Sequence, residues 1–118
     1  MQRAIRSPKR VRSVSRAAPS ARGEMMAVLT DSEIQQALAK LPGWQRNGIA
    51  IQRVFQFPDF KAAMQFVNKV ADAAEQANHH PDIDIRYNKV TMALVSHDSG
   101  GVTQRDVKMA ERINQIGG

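Results

Sequence analysis

The chain encodes an α+β fold, a two-layer sandwich in which three helices cover one face of a four-stranded antiparallel sheet in the order α-β-β-α-β-β-α. Three observations predict it. Asn47-Gly48 and Asn88-Lys89 each interrupt alternating apolar residues, the mark of a tight hairpin. Between and around those hairpins, apolar residues recur three and four apart behind capping residues, the period of an amphipathic helix. The length of 118 residues with 42% apolar content suits a single domain with one modest core.

The first helix follows from Thr30-Asp-Ser-Glu33, a capping box in which the threonine hydroxyl and the glutamate side chain satisfy each other's backbone donors. It runs from Asp31 to about Lys40 with Ile34, Leu38 and Leu41 on one face, and Pro42-Gly43 ends it. A strand near Trp44–Arg46 turns at Asn47-Gly48 into a longer one near Ile49–Phe57. There Ile49, Ile51, Phe55 and Phe57 share one face, and Arg53 breaks that face. Pro58-Asp59 opens the second helix, proline being tolerated in a first turn and aspartate favoured by the dipole. Its apolar stripe is Phe60, Met64, Val67, Ala71 and Ala74, flanked by Ala63 and Val70, and it ends near Asn78.

After Pro81, Ile83, Ile85 and Tyr87 alternate before the turn, and Val90, Met92 and Leu94 alternate after it. A two-residue loop at Asn88-Lys89 pairs Tyr87 with Val90, Ile85 with Met92 and Ile83 with Leu94. Continued outward, the same register sets His80 opposite His97. Thr103-Gln-Arg-Asp106 starts the last helix with an acidic form of the capping box, and Val107, Ala110, Ile113 and Ile116 supply its buried stripe. The other sheet face, with Ala93 and Val95, is apolar enough for subunit contact.

The net charge of +6 is lopsided. Residues 1–24 hold seven basic residues (Arg3, Arg6, Lys9, Arg10, Arg12, Arg16 and Arg22) against Glu24, whereas ten basic and ten acidic residues follow Met25, so the domain over 25–118 is neutral. A nucleic-acid-binding face is therefore not expected on the folded domain. The Arg- and Ser-rich segment 1–24, broken by Pro8 and Pro19, reads as a disordered basic tail. It fits an organelle-targeting peptide, a polyanion-binding arm, or residues upstream of a true start at Met25 or Met26. The expected compartment is cytoplasmic, or organellar if the segment is a targeting peptide. No apolar run is long enough to span a bilayer, and the absence of cysteine excludes disulfides and thiolate metal sites.

The segment Glu75-Gln-Ala-Asn-His79-His80-Pro81 carries the chemistry. Glu75 and His79 are four apart, so their side chains can meet on a helix, and His79 sits at the helix C-terminus. Both placements favour a cation and make His79 a candidate proton donor. His80, brought opposite His97, adds two more imidazoles to one pocket, where crowding lets one ring stay neutral and accept a proton. Zinc is a weaker reading, because adjacent histidines seldom aim at one centre and no helical His-x-x-x-His pair is present. Phosphate loops and the nucleophile elbow are missing, and Asp82 and Asp84 alternate with isoleucines like a solvated strand face.

The string Glu75, three residues, His79-His80-Pro81, five residues, Tyr87, nine residues, His97, eight residues, Asp106 resembles the pterin-4a-carbinolamine dehydratase (4a-hydroxytetrahydropterin dehydratase) family from Leu29 to Ile116. The resemblance implies a hydro-lyase without metal or organic cofactor. It would dehydrate 4a-hydroxytetrahydrobiopterin to the quinonoid dihydropterin in tetrahydrobiopterin recycling. It implies Glu75, His79, His80 and His97 as the catalytic group, with pterin contacts from His79, His80, Pro81, Ser96, His97, Asp98, Ser99, Arg105 and Asp106. Assembly as a homodimer or homotetramer is implied too. Ser99 and Ile83 depart from some animal relatives, which have cysteine and tryptophan there, weakening the aromatic wall. The alternative, from a different class, is a non-enzymatic dimerisation or scaffold module using the outer sheet face.

Overall fold

A computed structural model describes residues 27–117; the basic segment 1–24 lies outside the described residues. The element order is α1 (Asp31–Leu38), β1 (Gln45–Asn47), β2 (Ala50–Gln56), α2 (Phe60–Ala77), β3 (Asp82–Arg86), β4 (Lys89–Leu94) and α3 (Gln104–Gly117). The four strands form one antiparallel sheet in the spatial order β1-β2-β4-β3, so the two hairpins meet along β2 and β4. Its apolar face, Ile51 and Phe55 from β2 with Val90, Met92 and Leu94 from β4, joins helix residues Ala63, Val70, Met109, Ala110 and Ile113 in one core. The α+β sandwich read from the sequence is the observed fold.

Thr30 caps α1 as expected. Its hydroxyl accepts from the Glu33 amide at 3.1 Å, and its own amide donates to Glu33 Oε1 at 2.8 Å. Thr30→Ala leaves the Glu33 amide without that acceptor, so about 1 kcal/mol of stability should be lost, read as a lower urea midpoint with an unchanged slope. Asp59 caps α2 through a 2.8 Å bond from the Ala62 amide.

The buried stripe of α2 is rotated from the one the sequence suggests. Ala63, Phe66, Val70, Ala73 and Ala74 are buried, while Phe60 is 49% exposed. The cause is aromatic: Phe66 packs between Phe55 and Phe57 of the sheet, with ring centroids at 4.7 and 4.9 Å, and this contact sets the rotation of the helix. Arg53, which interrupts the apolar face of β2, stays half-buried by stacking over Phe55 and donating to Pro42 O and Asn114 Oδ1.

The first hairpin turns one residue later than expected and the second one residue earlier. Asn47 pairs with Ala50 and Arg86 with Lys89, so the turn pairs are Gly48-Ile49 and Tyr87-Asn88. In each, the first turn residue takes the positive φ, 62° at Gly48 and 54° at Tyr87. The second shift has a tertiary cause. Asn88 donates its side-chain amide to Phe57 O and accepts from the Phe57 amide, tying the turn to the end of β2. Ile83 therefore faces Met92 and Ile85 faces Val90, which moves the partner of every β3 residue by two along β4. The apolar faces survive that shift because the side-chain period is two. The expected pairing of His80 with His97 does not: β4 ends at Leu94, and Ser96 bridges Gly101 instead.

Candidate active site

The site is built where the C-terminal end of α2 meets the first turn of α3. Helix α2 stops at Ala77, and Asn78 adopts the left-handed conformation with φ 52°. The Asn78 amide then donates to Glu75 O and the His79 amide to Ala74 O, the paired bonds of a Schellman end. His79 thus lies outside the helix, and the four-residue spacing from Glu75 no longer stacks their side chains. The expected Glu75–His79 contact is replaced by two others. Glu75 Oε2 meets His80 Nε2 at 2.6 Å, and His79 Nε2 meets Asp106 Oδ1 at 2.5 Å across to α3.

These two contacts differ in character. The His80 and Glu75 side chains are 56% and 77% exposed, so solvent screens their pairing. The His79 side chain is 11% exposed and that of Asp106 is fully buried, so theirs is sheltered. Asp106 performs two tasks. As the third residue of α3 it accepts from the Thr103 amide at 2.8 Å, the capping bond expected from the sequence, and it also holds His79. A carboxylate oxygen accepts, so the ring N–H at Nε2 is the donor and Nδ1 is left for a ligand.

The loop after β4 brings in the remaining residues. Ser96 is buried at its neck, where its hydroxyl donates to Asp106 Oδ2 at 2.9 Å and meets Thr103 Oγ1 at 2.8 Å. The bonds from the Ser99 and Gly100 amides to Ser96 O close the loop. His97 and Asp98 are exposed on it, and no hydrogen bond joins the His97 ring to another described residue. Arg105 donates to Asp98 Oδ1 at 2.7 Å, and its Nε is buried without a partner among the described residues. Pro81 and Ser99 are half-buried at the edges.

A cavity of about 320 Å³ opens beside this cluster, lined by Ala77, His79, Arg105, Lys108 and Met109. Its size falls at the lower end for small-molecule sites. Ala77, Lys108 and Met109 were missed from the sequence. Lys108 and Met109 lie three and four residues after Arg105, so helical spacing alone would have placed all three on one face. His79 and Arg105 line this cavity, whereas the lining includes neither His80 nor His97.

The Arg105 guanidinium beside Asp98 holds that carboxyl below its ordinary value of 3.8, the hydrogen bond being the main cause. A lowered carboxyl favours the fold above the ordinary value, and that contribution disappears as pH falls through the lowered one. Arg105→Met should therefore move the Asp98 carboxyl titration upward, read by carbon NMR of the side chain.

The α+β sandwich sets a sheltered histidine–aspartate pair beside a small cavity, an arrangement that offers groups for acid–base chemistry. The chain belongs to the pterin 4 alpha carbinolamine dehydratase family, which it matches over residues 27–116. It is 64% identical over 92 residues to a Koribacter versatilis protein provisionally named pterin-4-alpha-carbinolamine dehydratase, covering 78% of this chain and 98% of that one. A Mycolicibacterium smegmatis protein with the same provisional name is 50% identical over 91 residues, 77% of this chain and 97% of the other. Among solved structures, a transcriptional coactivator/pterin dehydratase from Brucella melitensis superposes with a TM-score of 0.75 at 43% identity, covering 77% of this chain and 99% of that one. A pterin dehydratase-like RuBisCO assembly factor of the alpha-carboxysome shares the fold at 18% identity and TM-score 0.54, over 64% of this chain and 87% of that one.

Proposed function

We propose that this chain is a hydro-lyase that dehydrates 4a-hydroxytetrahydrobiopterin to the quinonoid dihydropterin in tetrahydrobiopterin recycling. The reaction removes a proton from the ring nitrogen, forms the carbon–nitrogen double bond and expels hydroxide from the neighbouring carbon. Hydroxide takes a proton from an acid and leaves as water. One base and one acid are enough.

The observation that carries this reading is the buried Asp106 holding His79 at the cavity wall through Nε2. Nδ1 of His79 is then the nitrogen offered to the substrate. His80 and His97 are the rings proposed to serve the departing hydroxide, and Glu75 orients His80 rather than His79. The buried, unpartnered Arg105 Nε supports a substrate contact from that residue. The outer sheet face, where Val54 is 54% exposed, is the surface proposed for homodimer or homotetramer assembly.

The test is an ultraviolet assay with freshly generated carbinolamine, the spontaneous rate being subtracted. Turnover above that background is expected. No enzymatic rate would instead favour a dimerisation or scaffold module working through the outer sheet face.

A further inference from the structure

We propose that Ser96 and Thr103 are positioning residues that act through Asp106 to fix His79 with Nδ1 as its working nitrogen; this rests on the dehydratase reading of the site. All three supporting side chains are interior: Ser96 is 1% exposed, and Thr103 and Asp106 are fully buried. Their hydrogens have one consistent arrangement. Asp106 Oδ2 accepts from the Ser96 hydroxyl at 2.9 Å and the Thr103 amide at 2.8 Å. Since the Ser96 proton is committed there, the 2.8 Å contact between the two hydroxyls requires Thr103 to donate to Ser96. Thr103 Oγ1 in turn accepts from the Arg105 amide at 3.2 Å. The polarity runs one way, from the first turn of α3 through two hydroxyls into the carboxylate, and from His79 Nε2 into its other oxygen.

Helix capping does not account for Ser96. The Thr103 amide and Asp106 already complete the cap, and both belong to the start of α3. Ser96 comes from the far side of the loop, ten residues before Asp106. Its hydroxyl adds a second donor to Oδ2, which fixes the carboxylate plane and with it the direction of Oδ1. The ring that donates to Oδ1 is oriented as a result. The Ser96 hydroxyl is thereby occupied inside the protein and does not contact substrate, in contrast to the pocket-lining role expected from the sequence.

Ser96→Ala, Ser96→Thr and the wild-type full chain decide the matter. Ser96→Ala is expected to lower kcat roughly ten- to hundredfold with little change in KM, because one bond to a charged acceptor is lost. Ser96→Thr restores the hydroxyl and should restore kcat. Nitrogen-15 NMR of the His79 ring in the wild type should show the hydrogen on Nε2, and Ser96→Ala should show a mixture of tautomers. A wild-type ring protonated on Nδ1 alone would overturn the proposal without reference to any variant. So would a folded Ser96→Ala protein with unchanged kcat and unchanged tautomer, and a rise in KM alone would mean that the hydroxyl touches substrate after all. Absence of wild-type turnover sinks the dehydratase reading instead, while the NMR result still judges the positioning.

Discussion

Replacing His79 by alanine is expected to reduce dehydratase turnover by about 10²–10⁴-fold, the range that a positioned acid–base group contributes. The protein should remain folded. His79 follows the helix end, outside the main core, and its backbone amide, which seals α2 by donating to Ala74 O, is untouched by the change. Asp106 keeps its bonds from Ser96 and Thr103, and the space vacated by an 11% exposed side chain is open to water. Steady-state rates with the spontaneous reaction subtracted, alongside far-ultraviolet circular dichroism, measure both halves. His97→Ala is the companion variant. Its ring is exposed, so any large loss there reports on the chemistry and not on packing. Full activity in both variants would refute the assignment of the histidines.

Asp106→Asn should lower turnover by a similar order and, unlike His79→Ala, should also destabilise the fold. The carboxylate receives hydrogens from His79 Nε2, the Ser96 hydroxyl and the Thr103 amide, and it has nothing but acceptors to offer. Asparagine replaces one oxygen with an NH₂ group. With the NH₂ toward His79, the ring must bare Nε2 and move its hydrogen to Nδ1, which removes the base from the cavity side. With the NH₂ toward Ser96 and Thr103, a buried amide meets a buried donor. The first orientation keeps the contacts but exchanges charge-assisted bonds for weaker neutral ones, and the second leaves a buried donor unsatisfied; each costs about 1–3 kcal/mol, to be read as a lower urea midpoint. A variant with wild-type turnover and stability would show that the histidine needs no carboxylate behind it.

These two residues also show how far the sequence can be read. His79 stood out as one of an adjacent pair at a helix exit, and Asp106 stood out as the acidic end of a capping box. Each was legible in its own local context. Their meeting was not, because the separation of 27 positions between them spans a hairpin whose register is set elsewhere. Alternation fixed which faces of β3 and β4 are apolar, but two registers shifted by two residues satisfy it equally. Asn88 selects between them by bonding to Phe57, a residue of another hairpin. Likewise Glu75 was paired with His79 on the assumption of a continuing helix. The left-handed residue Asn78 hands that carboxylate to His80 instead.

By itself the sequence determined the element order, the caps at Thr30 and Thr103, the start of the second helix at Pro58-Asp59, the single core and the family, because these depend on periodicity, short-range interactions and motif spacing. The tertiary structure alone decided which carboxylate serves which histidine, how α2 is rotated, and that Ser96 faces inward to Asp106. The physical reason is that local rules act over a few residues, whereas the Phe66 stack, the Asn88–Phe57 bonds and the Ser96–Asp106–His79 chain join segments distant along the chain, whose relative placement is known only once the sheet and helices have packed.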